Sequence, residues 1–565
     1  MDKVWTACYP DSVPETIYTE TYHNVTELFN ASFARYRNLP LTTCMGVTHT
    51  YADIEKIAAN ISSWLQYKQI PAGSVIALMM PNVPQYLPIM VAILQAGYIC
   101  TPVNPLYTGR ELKHQLIDSK AETIFLIDNF AQALEQVVDE TYLKNIVVSK
   151  MGDLMGLKGF LVNIFIRNVK KMVPKYNLDN PDHKVYKFTD VLKIGSQRSF
   201  YPSKAIQDDI AIYQYTGGTT GLSKGAMLSH RNLIAAALSS EAWSRPATKK
   251  ITDVYVNMVM ALPLYHIFAF MLALLGIRAG YTFIMIPNPR DMPGFIKTLS
   301  KQPFHFFPGV NTLFNGLLKQ PDFKNLDFSR LTVTQAGGMA ANEKTAREWL
   351  EVTGCPMIEG WGMTEGVAVG TANIVTDTNY NGTIGLPLPS VDVTIRDEND
   401  NPVGYGEAGE LCIKGPNVTS GYLNHDNVDV FTHDGYFKSG DIVSMDERGY
   451  ITLLDRKKDM VLVSGFNVFP NEVEAVMSEC PGIVDCALIG VPDERQGESL
   501  KLFIIREDDT VSESSIREFA LENLTGYKCP RYIEFIDELP KSNVGKVLRQ
   551  KLREHHHANE ANINK

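Results

Sequence analysis

Residues 215–230 read Tyr-Thr-Gly-Gly-Thr-Thr-Gly-Leu-Ser-Lys-Gly-Ala-Met-Leu-Ser-His. Thr216, Gly217, Gly218, Thr219, Thr220, Gly221, Ser223 and Lys224 combine glycines, hydroxyls and one ammonium in a single short stretch. Glycines let backbone N–H groups approach an anion closely, hydroxyls donate to its oxygens, and a lysine supplies a point charge. That is polyphosphate chemistry. The spacing is not that of the common P-loop, which wants Lys directly after the second Gly and Ser or Thr after the Lys. Here two residues separate Gly221 from Lys224, and Gly225 follows. On composition alone such a stretch is equally a plain loop.

The flanks say what must hold it. Ile210–Tyr213 reads as a strand entering the loop. Ser229 reads as the N-cap of a helix through Asn232–Ala237. Upstream, strands at Val75–Met79, Ile99–Val103 and Thr123–Ile127 alternate with helices at Gln85–Gln95 and Thr108–Ile117. This predicts a parallel sheet with helices on its faces, whose strand ends carry the functional loops. Strands at Val254–Pro263, Phe283–Ile286, Phe304–Pro308 and Leu331–Gln335 predict a second doubly wound sheet. From about Gly382 the texture changes to short strands and Gly/Pro turns, predicting a small β subdomain over 382–454. From Asp455 it is mixed again, about 110 residues of α+β. There Asn471, with Glu474 three on, reads as a capped helix start.

The chain has 565 residues, 45% of them hydrophobic, enough for several structural units. A net charge of −10 with no basic block argues against nucleic acid as partner. Eight scattered cysteines without metal spacing predict reduced thiols. No secretory signal and no spanning segment are read, so a cytoplasmic protein is expected, at most peripheral on the inner face of the inner membrane. One stretch bears on that. Leu154–Tyr176 places Leu157, Phe160, Leu161, Ile164, Phe165, Val169 and Met172 near helical spacing, beside Lys158, Arg167, Lys170, Lys171 and Lys175. Two readings are open: a helix lying on an anionic membrane, or a surface helix packed on its own domain. His555–His557 reads as solvated tail rather than metal site.

The 215–230 string closely resembles the phosphate-binding signature of the adenylate-forming superfamily: acyl-CoA synthetases, peptide-synthetase adenylation domains and luciferases. Further strings stand in that family's order. In Glu359-Gly-Trp-Gly-Met-Thr-Glu365, the resemblance implies that Trp361 stacks on adenine beside Gly362 and Met363, that Thr364 bonds the α-phosphate, and that Glu365 holds Mg²⁺. Many relatives have Tyr in place of Trp361, a change that preserves stacking. Gln335–Met339 resembles the segment beside the nucleotide, with Gly337 and Gly338; it also reads as a strand-to-helix turn. In Lys438-Ser-Gly-Asp441, Asp441 would receive the ribose hydroxyls. Asp455 matches the hinge and Arg456 a second ribose contact. Gly465 and Phe466 would lie by the pantetheine arm of CoA. In Pro540–Arg549, Lys546 resembles the catalytic lysine of adenylation. His266, Val310 and Gly338, with Phe268, would line the acyl pocket.

Length, the 154–176 stretch and the 455–474 string look most like bacterial long-chain fatty acyl-CoA synthetases. The resemblance implies a fold of two doubly wound sheets and a β subdomain (1–454), then a small mobile α+β domain (455–565) turning at Asp455. It implies ATP, Mg²⁺ and CoA with a fatty acid: acyl-adenylate and pyrophosphate form first, then CoA displaces AMP. An aryl- or medium-chain acyl-CoA ligase and a fatty acyl-AMP ligase that does not use CoA share the motifs. A homodimer is left open.

Overall fold

The computed structural model describes residues 3–216, 223–463, 466–493, 497–508, 510–542 and 545–563. Gly217, Gly218, Thr219, Thr220, Gly221 and Gly465, all singled out above, lie outside them.

Both parallel sheets form as expected. The first has seven strands, in spatial order Lys184–Lys187, Asn145–Ser149, Thr123–Ile127, Val75–Met79, Ile99–Pro102, Ile210–Tyr215 and Gly225–Ser229. All neighbours are parallel except the last pair, a hairpin that brackets the phosphate-loop string. Its central strand Val75–Met79 is buried throughout, which is why the sequence there is unbroken apolar rather than alternating. The second sheet has nine strands. Its parallel core is Met357–Trp361, Val333–Ala336, Phe306–Gly309, Asn257–Met260, Thr282–Met285 and Pro40–Cys44. Antiparallel pairs close both edges.

The strand ends of the two sheets meet. Asn82, just past its strand in the first sheet, donates to the carbonyls of Met260 (2.9 Å) and Leu262 (2.8 Å) and accepts from Leu264 N–H (2.9 Å). It is buried, and this junction satisfies backbone groups that would otherwise be stranded where two sheets converge. The helix Ile267–Ala279 starts there, apolar all round and almost wholly buried, and stops at Gly280 in the left-handed region.

The β subdomain is an antiparallel meander of Asp392–Arg396, Gly409–Lys414, Phe437–Met445 and Ile451–Arg456. Its last strand runs on through Asp455 to Arg456. Beyond it lies a sheet of five strands with helices Pro470–Met477, Glu513–Asn523 and Arg549–Ile563.

Several local expectations fail for physical reasons. Asn471 is not a cap: Phe469 holds that position and Pro470 sets the first turn. The Asn471 and Glu474 side chains accept from the partly buried Arg549 instead, at 2.8 and 2.7 Å. The histidine tail is only partly solvated, with His555 and His557 exposed and His556 buried. It is a docked helix, with His555 on Glu534 (2.7 Å) and a buried His556 against Lys501 (3.2 Å). The 154–176 stretch does not pack its apolar face inward either. Its helix Gly156–Ile164, followed by a wider turn over Phe165–Val169, seats on the body through Gly159. A Cβ there would lie 1.8 Å from the Gly152 carbonyl oxygen, so only glycine permits the approach. Leu157 is 91% exposed, Leu161 66% and Phe160 65%. Among the described residues no helix is long and apolar enough to cross a membrane.

Candidate active site

The phosphate-loop string is held at both ends by the hairpin. Thr216 N–H donates to the Lys224 carbonyl (2.9 Å), closing the loop's neck. Tyr215 hydroxyl donates to Asp118 (2.6 Å) on the neighbouring helix, and His114 meets the Ser223 carbonyl (2.8 Å). Ser229 caps the following helix with a capping box to Asn232, as the sequence predicts. Lys224 projects its ammonium over the ring of Tyr422, 5.3 Å from its centre.

Opposite stands Met357–Trp361 of the second sheet. Trp361 is 8% exposed, and its indole N–H donates to Asp441 (2.8 Å). Meander register pairs Asp441 with Arg456, and their side chains meet at 3.3 Å. The Ser439 hydroxyl accepts from Asp441 N–H (3.1 Å), and Glu410 accepts from Gly440 N–H (3.0 Å). Thr364–Gly366 forms a single tight turn after the strand. Directly after it Val367 sits at φ 54° and Ala368 at φ 58°. A buried β-branched residue in the left-handed region is strained, and such strain persists where packing over-determines it. The same turn brings the Ala368 carbonyl oxygen to 2.2 Å from where a Cβ on Gly362 would lie, so only glycine fits at 362.

Glu365 is 6% exposed, and burial lifts its carboxyl above the usual range. The Tyr422 hydroxyl, donating at 2.5 Å, pulls it back. A carboxylate on the cleft wall, with the Lys224 ammonium on the same tyrosine ring, is the kind of donor Mg²⁺ uses together with phosphate oxygens, so the donor set fits that ion. Among the described residues no group of three or more His, Cys, Asp or Glu forms an all-protein metal cage.

Gly337 and Gly338 form the turn leaving Val333–Ala336. A Cβ at Gly337 would strike the Phe268 ring at 2.9 Å, and one at Gly338 would lie 3.7 Å from Val310. This brings Gly337, Gly338, Phe268 and Val310 together. His266 caps the adjoining helix through Phe268 N–H (3.3 Å). Burial, then the Lys546 ammonium, push its imidazole down to about 4, so it is neutral at physiological pH.

Lys546 reaches this place from the far end of the chain. Its turn is closed by Ser542 N–H to the Lys546 carbonyl (2.7 Å) and by Lys546 N–H to the Ser542 hydroxyl (3.1 Å). Gly545, at φ 80°, lies against Thr312 so closely that a Cβ would be 2.4 Å from its hydroxyl oxygen. Surrounding protein strips most of the water from its ammonium. Burial first, then Arg456, bring it down to about 7, while Asp441 works the other way. Lys546, Asp441, Arg456, Trp361, Thr364, Glu365, Lys224, His266 and Gly338 all line one cleft of roughly 2850 Å³ between the two parts of the chain.

Asp455 is fully buried and accepts from Arg456 N–H and Asn471 N–H, both at 2.7 Å. Phe466 is not brought to the cleft. It is 55% exposed and stacked on Tyr527 with ring centres 4.7 Å apart.

Two residues of the cleft have no role in the motif reading: Tyr422, which stands in no motif, and Glu359, which only opens the 359–365 string. Glu359 is buried, takes the Ala341 N–H (3.0 Å) and is lifted by burial to about 7. Tyr422 joins Glu365 to Lys224. The sequence signal for Glu359 is a lone acid inside an otherwise apolar strand; Tyr422, in an ordinary Gly-Tyr-Leu turn, carries none.

Two open α/β sheets sharing a crevice at their strand ends, with a small domain delivering a lysine into it, define an adenylate-forming fold. The chain belongs to the AMP-binding enzyme family, which matches residues 29–423, with the AMP-binding enzyme C-terminal domain matching 472–546. It is 43% identical to the long-chain-fatty-acid–CoA ligase of Escherichia coli O157:H7 over 558 residues, 98% of each chain. Its fold matches the anthranilate CoA ligase AuaEII in complex with anthranoyl-AMP with a TM-score of 0.82 at 21% identity, over 96% of this chain and 100% of that one. ATP-bound MatB from Rhodopseudomonas palustris matches with a TM-score of 0.78 at 26% identity, over 94% and 99%.

Proposed function

We propose that this chain converts a long-chain fatty acid to its CoA thioester in two steps, releasing pyrophosphate and then AMP. The observation that carries the reading is that Lys546, from the far end of the chain, lines one cleft with Asp441, Arg456 and His266. End-to-end likeness to a long-chain-fatty-acid–CoA ligase supports the substrate.

In the first step a fatty acid carboxylate oxygen attacks the α-phosphorus of ATP, the bond to the bridging oxygen breaks, and pyrophosphate leaves. The 216–224 string takes the phosphates, with Lys224 as its charge. Trp361 stacks on adenine against the Gly337–Gly338 turn, with Gly362 and Met363 alongside. Asp441 and Arg456 take the ribose, and Thr364 holds the α-phosphate. Lys546 lies between the groups of like charge that must meet. An ammonium there stabilises the crowded transition state, and no covalent enzyme intermediate is needed. Glu365 is the residue that would hold Mg²⁺, which when bound neutralises charge on the phosphate oxygens. His266, Phe268, Val310 and Gly338 border the acyl chain.

In the second step the CoA thiol attacks the acyl carbonyl and AMP leaves. Gly465 and Phe466 serve this step. Phe466 faces solvent while Lys546 fills the cleft, so residues 455–565 must turn as a unit against 1–454. Asp455, pinned by two backbone N–H groups at the junction, is the hinge.

AMP release with ATP, Mg²⁺ and CoA across acids from acetate through oleate, with coumarate, tests the substrate. The expected maximum lies at palmitate or oleate. A maximum on short or aryl acids overturns the long-chain reading and keeps the fold and nucleotide site; acyl-adenylate formation without CoA-dependent AMP release makes it an acyl-AMP ligase.

The outward apolar face at Leu157, Phe160 and Leu161, with Lys170 and Lys171 beside it, supports a peripheral seat on anionic lipid. Flotation with anionic vesicles but not neutral ones is expected; equal recovery in solution with both contradicts it.

A further inference from the structure

The segment Thr419–Asn427 belongs to the β subdomain by sequence but is stitched to both arms of the phosphate-loop hairpin. Thr419 N–H donates to the Glu365 carbonyl (2.7 Å), and its hydroxyl to the Met227 carbonyl (2.7 Å). Leu423 N–H donates to the Gly225 carbonyl (2.8 Å) on one arm. Asn424 reaches Asp118 (3.0 Å), which also holds Tyr215 of the other arm. Tyr422 stands at the centre. Its backbone N–H is fixed by Asn427 (2.8 Å) and its ring edge packs against Phe437. Its hydroxyl donates to Glu365 and its face receives the Lys224 ammonium.

Two charges of opposite sign therefore depend on one aromatic ring. A cation within about 6 Å of a ring centre is attracted to its face. A buried carboxylate needs donors to stay in place, and a hydroxyl on one oxygen fixes the direction of the other. We infer that Tyr422 is a positioning residue for nucleotide activation, orienting the Glu365 carboxylate for a divalent cation and holding Lys224 for the phosphates. The inference rests on Glu365 being the cation ligand.

Tyr422→Phe keeps the ring and removes only the hydroxyl. Tyr422→Leu removes both functions. Partners of a metal ligand typically govern affinity by about 10–100-fold. With ATP present and fatty acid withheld, Mn²⁺ bound to the enzyme is read by electron paramagnetic resonance. Tyr422→Phe is expected to weaken Mn²⁺ about tenfold, to raise the metal concentration needed for half-maximal ATP–pyrophosphate exchange, and to leave the ATP KM at saturating metal near wild type. Tyr422→Leu is expected to raise that ATP KM as well. Glu365→Gln separates the two layers. If it loses Mn²⁺ while Tyr422→Phe binds as wild type does, the Tyr422 role is overturned and the Glu365 assignment stands. If Glu365→Gln itself binds Mn²⁺ normally, both are overturned. Matching thermal unfolding of Tyr422→Phe and wild type keeps the comparison free of misfolding.

Discussion

Lys546 enters a cleft that already holds Arg456 and Lys458, and it loses much of its water on the way. Both effects disfavour the ammonium, bringing it to about 7 against an ordinary value of 10.5. At about pH 8 the seated amine is mostly neutral, whereas a polyphosphate beside it favours the charged form, so ATP binding must draw a proton from solution. Uptake is expected to be largest near that pH, to fade below about pH 6, where the amine is already charged, and to vanish in Lys546→Ala. Calorimetry in buffers of unlike ionisation enthalpy reads it; equal uptake in the variant contradicts the seat. Trp361 gives a second residue-scale prediction. Trp361→Phe keeps a ring for stacking but strips the indole donor from Asp441. A hydrogen bond to a charged group is worth about 1.5–3 kcal/mol, so an ATP KM raised about tenfold is expected, with kcat less affected; an unchanged KM contradicts the pairing. These residues are legible in the sequence because each stands in a string whose neighbours share its task. Tyr422 stands in no such string, and the 359–365 string gives Glu359 no task. Tyr422 acts on Glu365, 57 positions away, through its own hydroxyl, from a place where its backbone bridges to Ala226; no local pattern announces either contact, and Glu359 is one acid in an apolar strand.

Elements divide along the same line. The strands and helices that alternate at regular spacing fall where their periodicity puts them, and Ser229, read as a cap, closes a capping box; Thr108 and Ser512 close two more. Readings fail where a side chain has a better offer from far along the chain. Asn471 and Glu474 would cap their own helix but satisfy Arg549; His556 would be solvated but packs by Lys501. Of the two orientations the 154–176 stretch leaves open, its helix takes the outward one, since Gly159 is its buried residue and its large apolar residues are exposed. Glu410 shows how elements cooperate. Its carboxylate takes Gly440 N–H in the Ser439-Gly440-Asp441 turn and Lys457 (2.9 Å), two residues past Asp455. Glu410→Gln keeps the first contact and weakens the second. Its pair with half-exposed Lys457 is worth roughly 0.2–1 kcal/mol, so the pose shown here should lose a few-fold in population. Adenylation is expected to slow a few-fold while thioester formation from supplied acyl-adenylate is kept; equal slowing of both contradicts a pose-specific contact.

The whole molecule presents one arrangement of its two parts: Lys546 inside, Gly545 locked against Thr312, Phe466 outside. Sequence order alone conveys that the parts exist, but not which face of the small one is turned inward, because that choice rests on contacts between segments hundreds of residues apart. The arrangement fits the adenylating half of a two-step enzyme. Its most direct test is Lys546→Ala assayed separately in each half-reaction. ATP–pyrophosphate exchange with palmitate is expected to fall by about 100-fold or more, the scale on which one electrostatic stabiliser acts, while transfer from supplied palmitoyl-adenylate to CoA stays within a few-fold of wild type. Equal losses in both half-reactions, or exchange at the wild-type rate, would contradict it.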